Sequence, residues 1–81
     1  MKKNNSYNFE TFRCGVGKQI QKIRKAKKYT QESLAAVSGL DRVAIGYIEQ
    51  GKRSPKLRTL YQIAQSLQVN VSEFFDKSHI I

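Results

Sequence analysis

Residues 31–51 read QESLAAVSGLDRVAIGYIEQG, and their punctuation decides the fold. Thr30 and Asp41 each stand before a run of helically spaced apolar residues and carry a side-chain oxygen able to accept a first-turn N–H. Gly39 and Gly51 fall where each run must stop, at positions where a positive φ is often required and glycine adopts it cheaply. Within those limits Leu34, Ala35, Leu40, Ile45 and Ile48 are spaced to face inward, with small Ala35 where two helices must cross closely. Arg42, Val43, Gly46, Tyr47 and Gln50 are left on the outer face. The stretch reads as two short helices joined by a tight, glycine-containing turn, the second showing an arginine and polar groups outward.

The flanks extend the pattern. Phe9, Phe12, Val16, Ile20 and Ile23 give a stripe on a preceding helix from residue 9 or 10 to 27; Gly15 and Gly17 weaken its early half unless they mark close packing. Beyond the motif, KRSPK is a basic loop with the only proline, and Leu57, Leu60, Ile63, Ala64 and Leu67 share one face of a fourth helix. Residues 68–70 form a turn, Val69 and Val71 are expected inside, and Ser72 is placed to cap a short fifth helix carrying Glu73, Phe74 and Phe75. The reading is an all-α, compact five-helix domain over residues 9–76, with a flexible basic arm at 1–8 and a tail at 77–81.

Eighty-one residues make one domain, of a size that buries only about 60% of its unfolded surface. Fifteen Lys and Arg against six Asp and Glu leave +9, which favours a polyanionic partner through counterion release. Six of those cations lie between residues 18 and 28, where no acidic residue occurs. No apolar run is long enough to span a membrane, and no apolar signal core follows Lys2 and Lys3, so a cytoplasmic location is expected. Cys14 is alone, which rules out an internal disulfide and a multi-cysteine metal site; His79 has no partner motif. Neither a nucleophile with its base, a carboxylate pair, a metal set nor a glycine-rich phosphate loop is visible, so no enzyme, cofactor, metal or small-molecule substrate is expected.

The two capped helices form a helix-turn-helix arrangement. The spacing of Gln31, Ala35, Gly39, Ile45 and Ile48 resembles the Cro/repressor, xenobiotic-response-element type of DNA-binding family, over about residues 16–75. More narrowly, GLDR followed by IGYIEQGKRSPKL is similar to restriction–modification controller proteins and small phage repressors, although Ala44 stands where controllers often carry Tyr. The resemblance implies a lambda-repressor-like domain that regulates transcription by binding a (pseudo)palindromic double-stranded DNA operator as a homodimer, through a recognition helix at 42–50. It also implies a structural ion pair between Arg24 and Glu49, and a left-handed Lys28 where relatives carry Gly. Relatives often place a capping Ser or Asp where this chain has Lys56, which cannot cap but can reach a phosphate.

On that basis Arg42, Val43, Ala44 and Tyr47 are candidates for reading base edges: Arg42 as a bidentate donor to guanine, Val43 and Ala44 against thymine methyls, Tyr47 through its hydroxyl. Lys52, Arg53 and Lys56, together with Thr30, Gln31, Gly46 and Gln50, are candidates for phosphate contacts. Phe74, Phe75, Ile80 and Ile81 are the candidate dimer contact. Two other readings stay open: a helix-turn-helix adaptor that binds proteins, and a sequence-nonspecific nucleic-acid binder.

Overall fold

The computed structural model describes residues 8–75, and these form four α-helices followed by a single 3-10 turn. The helices are α1 (Phe9–Ala26), α2 (Gln31–Ser38), α3 (Arg42–Glu49) and α4 (Leu57–Leu67); the turn spans Val71–Phe74. No strand occurs among the described residues. The expected fifth α-helix is therefore absent. In its place, Glu73 N–H donates to the Asn70 carbonyl and Phe75 N–H to that of Ser72, a tighter i to i+3 pattern suited to four residues. Its cap is also not the expected one: Asn70 accepts from Ser72 N–H, so Ser72 lies inside the turn.

The caps explain where the helices begin and end. Asn8, assigned by sequence to the arm, is the N-cap of α1 and accepts from Thr11 N–H at 2.8 Å. Thr30 caps α2 in a reciprocal box with Ser33. Asp41 occupies the N-cap position of α3, but its side chain makes no capping bond, contrary to expectation. Lys56 likewise stands at the N-cap of α4 without capping it.

At the other ends, α1, α3 and α4 each close with paired 6→1 and 5→2 hydrogen bonds around a left-handed residue. The three residues are Lys28 (φ 69°), Gly51 (φ 75°) and Gln68 (φ 59°). Lys28 thus keeps the bend with a Cβ attached, as the resemblance implied.

Ile20, Leu34, Ile45, Ile63, Leu67 and Phe74 are almost completely buried and form the centre of the core. α1 packs against α3 and the 3-10 turn, while α2 packs against both α3 and α4. Gly17 permits the first contact: a Cβ there would collide with the carbonyl oxygen of Ile48 and lie 2.8 Å from that of Glu49. The helix-breaking glycine is thus where α1 meets the carboxyl end of α3. Gln19 also ties α1 to the turn by donating to the Glu73 carbonyl.

Candidate nucleic-acid interface

Burial of Ile45 and Ile48 on the inner side of α3 leaves Arg42, Val43, Tyr47 and Gln50 exposed on its outer side. Ala44 is half-buried at its edge. Gly46, assigned by sequence to the outer face and to phosphate, is buried, with the Gln31 amide 3.8 Å from where its Cβ would be. Its place is under α2, so the phosphate assignment is withdrawn. Periodicity misplaced it because an eight-residue helix covered by neighbours on two sides has a narrow free face.

A polar chain links this face to the scaffold. The Arg24 guanidinium donates to both Glu49 carboxylate oxygens, at 2.6 and 3.1 Å, and to the Tyr29 carbonyl at 2.8 Å. The pair is buried, with side chains 7% and 1% exposed, so the bidentate geometry and extra acceptor matter: a buried charge without them is costly. Gln31 Nε2 donates to Glu49 Oε1 at 3.0 Å, and Gln31 Oε1 accepts from Arg42 Nη1 at 3.1 Å. Arg42 is thereby connected, through one amide and one carboxylate, to α1. Glu32 lies 3.8 Å from Arg42 Nε, but both side chains are solvated and that pair contributes little.

Beside α3 the loop at residues 51–56 carries Lys52, Arg53 and Lys56, all exposed and with no acidic neighbour in the segment. The Arg53 guanidinium lies 5.5 Å from the Tyr47 ring centre, a cation–π contact that joins the loop to the outer face of α3. The loop starts from a fixed point. Arg13 donates to the Gly51 carbonyl at 2.6 Å, and Cys14 lies so close that a Cβ at Gly51 would come within 2.9 Å of its Cα. Thr30 is exposed, but its hydroxyl is occupied in the capping box.

Sequence reading identified Arg24, Glu49, Arg42, Tyr47 and the basic loop as parts of this surface. It missed Gln31 as the bridge between Glu49 and Arg42, and Arg13 as the anchor of Gly51. Arg13 had a local signal, since residues 13, 17 and 24 share one helical face. Gln31 had none, because its partners are 11 and 18 residues away across a turn.

A helix-turn-helix family profile matches residues 20–74, two-thirds of the chain, including α2, α3 and the basic loop. The chain belongs to that family. Its members are DNA-binding transcriptional regulators, not enzymes. An uncharacterized HTH-type transcriptional regulator, y4dJ of Sinorhizobium fredii, is 38% identical over 55 residues, 68% of this chain and 71% of that protein. Some other curated relatives are longer, and the chain spans less than half of them.

Among solved structures, the restriction-modification controller protein C.AhdI from Aeromonas hydrophila superposes with a TM-score of 0.75 at 35% identity. The match covers 76% of this chain and 94% of C.AhdI. The controller C.Esp1396I, solved as a tetramer with its natural 35 base-pair operator, gives a TM-score of 0.73 at 37% identity, covering 90% and 92%.

The candidate dimer residues divide. Phe74 is fully buried among core side chains and cannot present its ring to a second subunit, which corrects the expectation. Phe75 is half-buried and stacks on Phe12, with ring centres 6.0 Å apart. Ile80 and Ile81 lie outside the described residues, as do the rest of the tail and arm residues 1–7. No helix among the described residues is long and apolar enough to cross a membrane.

Proposed function

We infer that this protein is a cytoplasmic, sequence-specific regulator of transcription that binds a two-fold symmetric DNA operator as a homodimer, with α3 in the major groove. The observation that carries the reading is Arg42. It is the first residue of an exposed helix, and the Gln31 amide ties it to a buried ion pair. A protein-binding adaptor has no need to hold a guanidinium this way, whereas bidentate donation to guanine O6 and N7 depends on it. Val43 and Ala44 are assigned to thymine methyls and Tyr47 to a base edge. Lys52, Arg53, Lys56, Gln50 and the backbone N–H groups at the start of α2, from Gln31 onward, are assigned to phosphates; Thr30, engaged in its capping box, holds that helix end in place.

An isolated α3 covers only a few base pairs, so two copies supply the missing specificity. The operator-bound tetramer of C.Esp1396I supports both the partner and the use of several copies. Leu57 and Tyr61, 80% and 58% exposed on α4, adjoin Val71 of the 3-10 turn and extend the carboxyl-terminal surface on which a second copy is placed.

Selection of bound duplexes from a random pool, followed by footprinting on the DNA upstream of the protein's own gene, tests the reading. A symmetric consensus with a conserved guanine in each half-site is expected. Equal retention of all sequences would leave only nonspecific binding.

A further inference from the structure

On α1, Lys18, Lys22 and Lys25 recur at four and three residues, all exposed, and none forms an ion pair among the described residues. Like charges at these spacings repel one another, and no acidic residue lies between Glu10 and Glu32 in the sequence to offset this locally. The stripe points away from the operator-reading face. Arg24, Gly17 and Arg13 face α3, and Lys25, Lys18 and Lys22 lie about 100°, 120° and 160° around the helix from Arg24, with Lys25 the end of the stripe nearest α2. A phosphate held by the outer side of α3 is then separated from Lys22 by roughly two helix diameters, about 20 Å. Screening is nearly complete over that distance, since the Debye length is about 8 Å at physiological salt.

We propose that Lys18, Lys22 and Lys25 form a second phosphate-binding surface that holds a further segment of duplex DNA at the back of the operator-bound protein. Lysine is a compact point charge suited to phosphate, and the stripe rises about 10 Å along a straight helix, enough to follow several phosphates of one strand. The exposed neighbouring positions Thr11 and Ala26 offer no aromatic or large aliphatic anchor of the kind that dominates protein–protein contacts. Duplex DNA therefore fits this face better than a protein. The surface requires no sequence in the second duplex and is distinct from the operator site, although holding both at once rests on the operator reading above.

The test immobilises an operator duplex, saturates it with the full chain, and adds a labelled duplex lacking the operator. The natural protein is expected to capture the second duplex with a log–log salt slope of about −2.7, from three phosphate contacts. K18Q/K22Q/K25Q is expected to keep operator affinity and operator salt slope while capture falls at least about tenfold. K18R/K22R/K25R, which keeps the charge, is expected to restore capture. Equal capture by the glutamine variant, or none by the natural protein, overturns the proposal. So does a shallower operator salt slope in the glutamine variant, because the stripe would then lie on the operator itself. Loss of operator binding by the natural protein is a different failure, that of the reading in the preceding section, and is seen before the second duplex is added.

Discussion

Arg42 and Gln31 divide one task between two residues. Arg42 carries the donors, and Gln31, held by Glu49, limits where they point. R42A is expected to lower discrimination at one guanine of each half-site by about 1–3 kcal/mol, while leaving nonspecific affinity nearly unchanged. A binding panel with each half-site base replaced in turn checks this; a uniform loss over all sequences would reassign Arg42 to phosphate. At the scaffold end of the same chain, removing either Arg24 or Glu49 leaves a buried charge without its partner and is expected to cost about 3–5 kcal/mol. A double-mutant cycle on R24A and E49A, followed by denaturant unfolding, should show strong coupling. Additive effects would mean that each residue acts independently.

Among the elements, the contact of α1 with the end of α3 tolerates the least change. Gly17 lets the backbones approach, and Arg13 holds the Gly51 carbonyl from the same side. G17A adds a methyl with no room against backbone oxygens, so a loss of about 1–3 kcal/mol is expected. Operator affinity should also fall, because α3 must shift for the methyl to fit. A thermal melt and an operator titration read both effects.

The α1–α2 bend offers the opposite experiment. Lys28 sits at φ 69° with a Cβ, a conformation costing roughly 1–2 kcal/mol for an L-residue. K28G relieves that strain but makes the unfolded chain more flexible, leaving a net gain of about 0.5–1 kcal/mol. For a domain of this size the melting temperature should rise by roughly 2–8 °C. An unchanged or lower value would show that the bend is not strained.

For the whole molecule, charge and symmetry set the behaviour. Operator binding should weaken steeply with salt. K52A/R53A/K56A is expected to reduce the log–log slope by about 2.7, at about 0.9 per phosphate contact. An unchanged slope would remove this loop from the interface. L57D/Y61D places two charges on the exposed apolar part of the carboxyl-terminal surface. Sedimentation should shift from dimer to monomer while helicity is retained. A dimer that survives both substitutions would place the subunit contact elsewhere.

The four α-helices, their stops and the exposed face of α3 were legible in the sequence because each is a local property. Thr30 caps within one turn, Gly39 and Gly51 relax backbone strain where they stand, and the period of Leu34, Ile45, Ile48 and Leu60 selects the buried side. The family was legible as well, through the spacing of Gln31, Ala35, Gly39, Ile45 and Ile48, and the resemblance to it implied the Arg24–Glu49 pair. Tertiary packing decided what spacing cannot carry. It set how closely α1 meets α3 at Gly17, which put Arg24 within reach of Glu49, and how α2 crosses α3, which put Gln31 within reach of both Glu49 and Arg42. It also covered Gly46, drew Phe74 into the core, and tightened the expected fifth helix into a 3-10 turn. The physical reason is the same in each instance: a side chain's partners across a helix crossing depend on the angle and distance of that crossing, which the whole core determines.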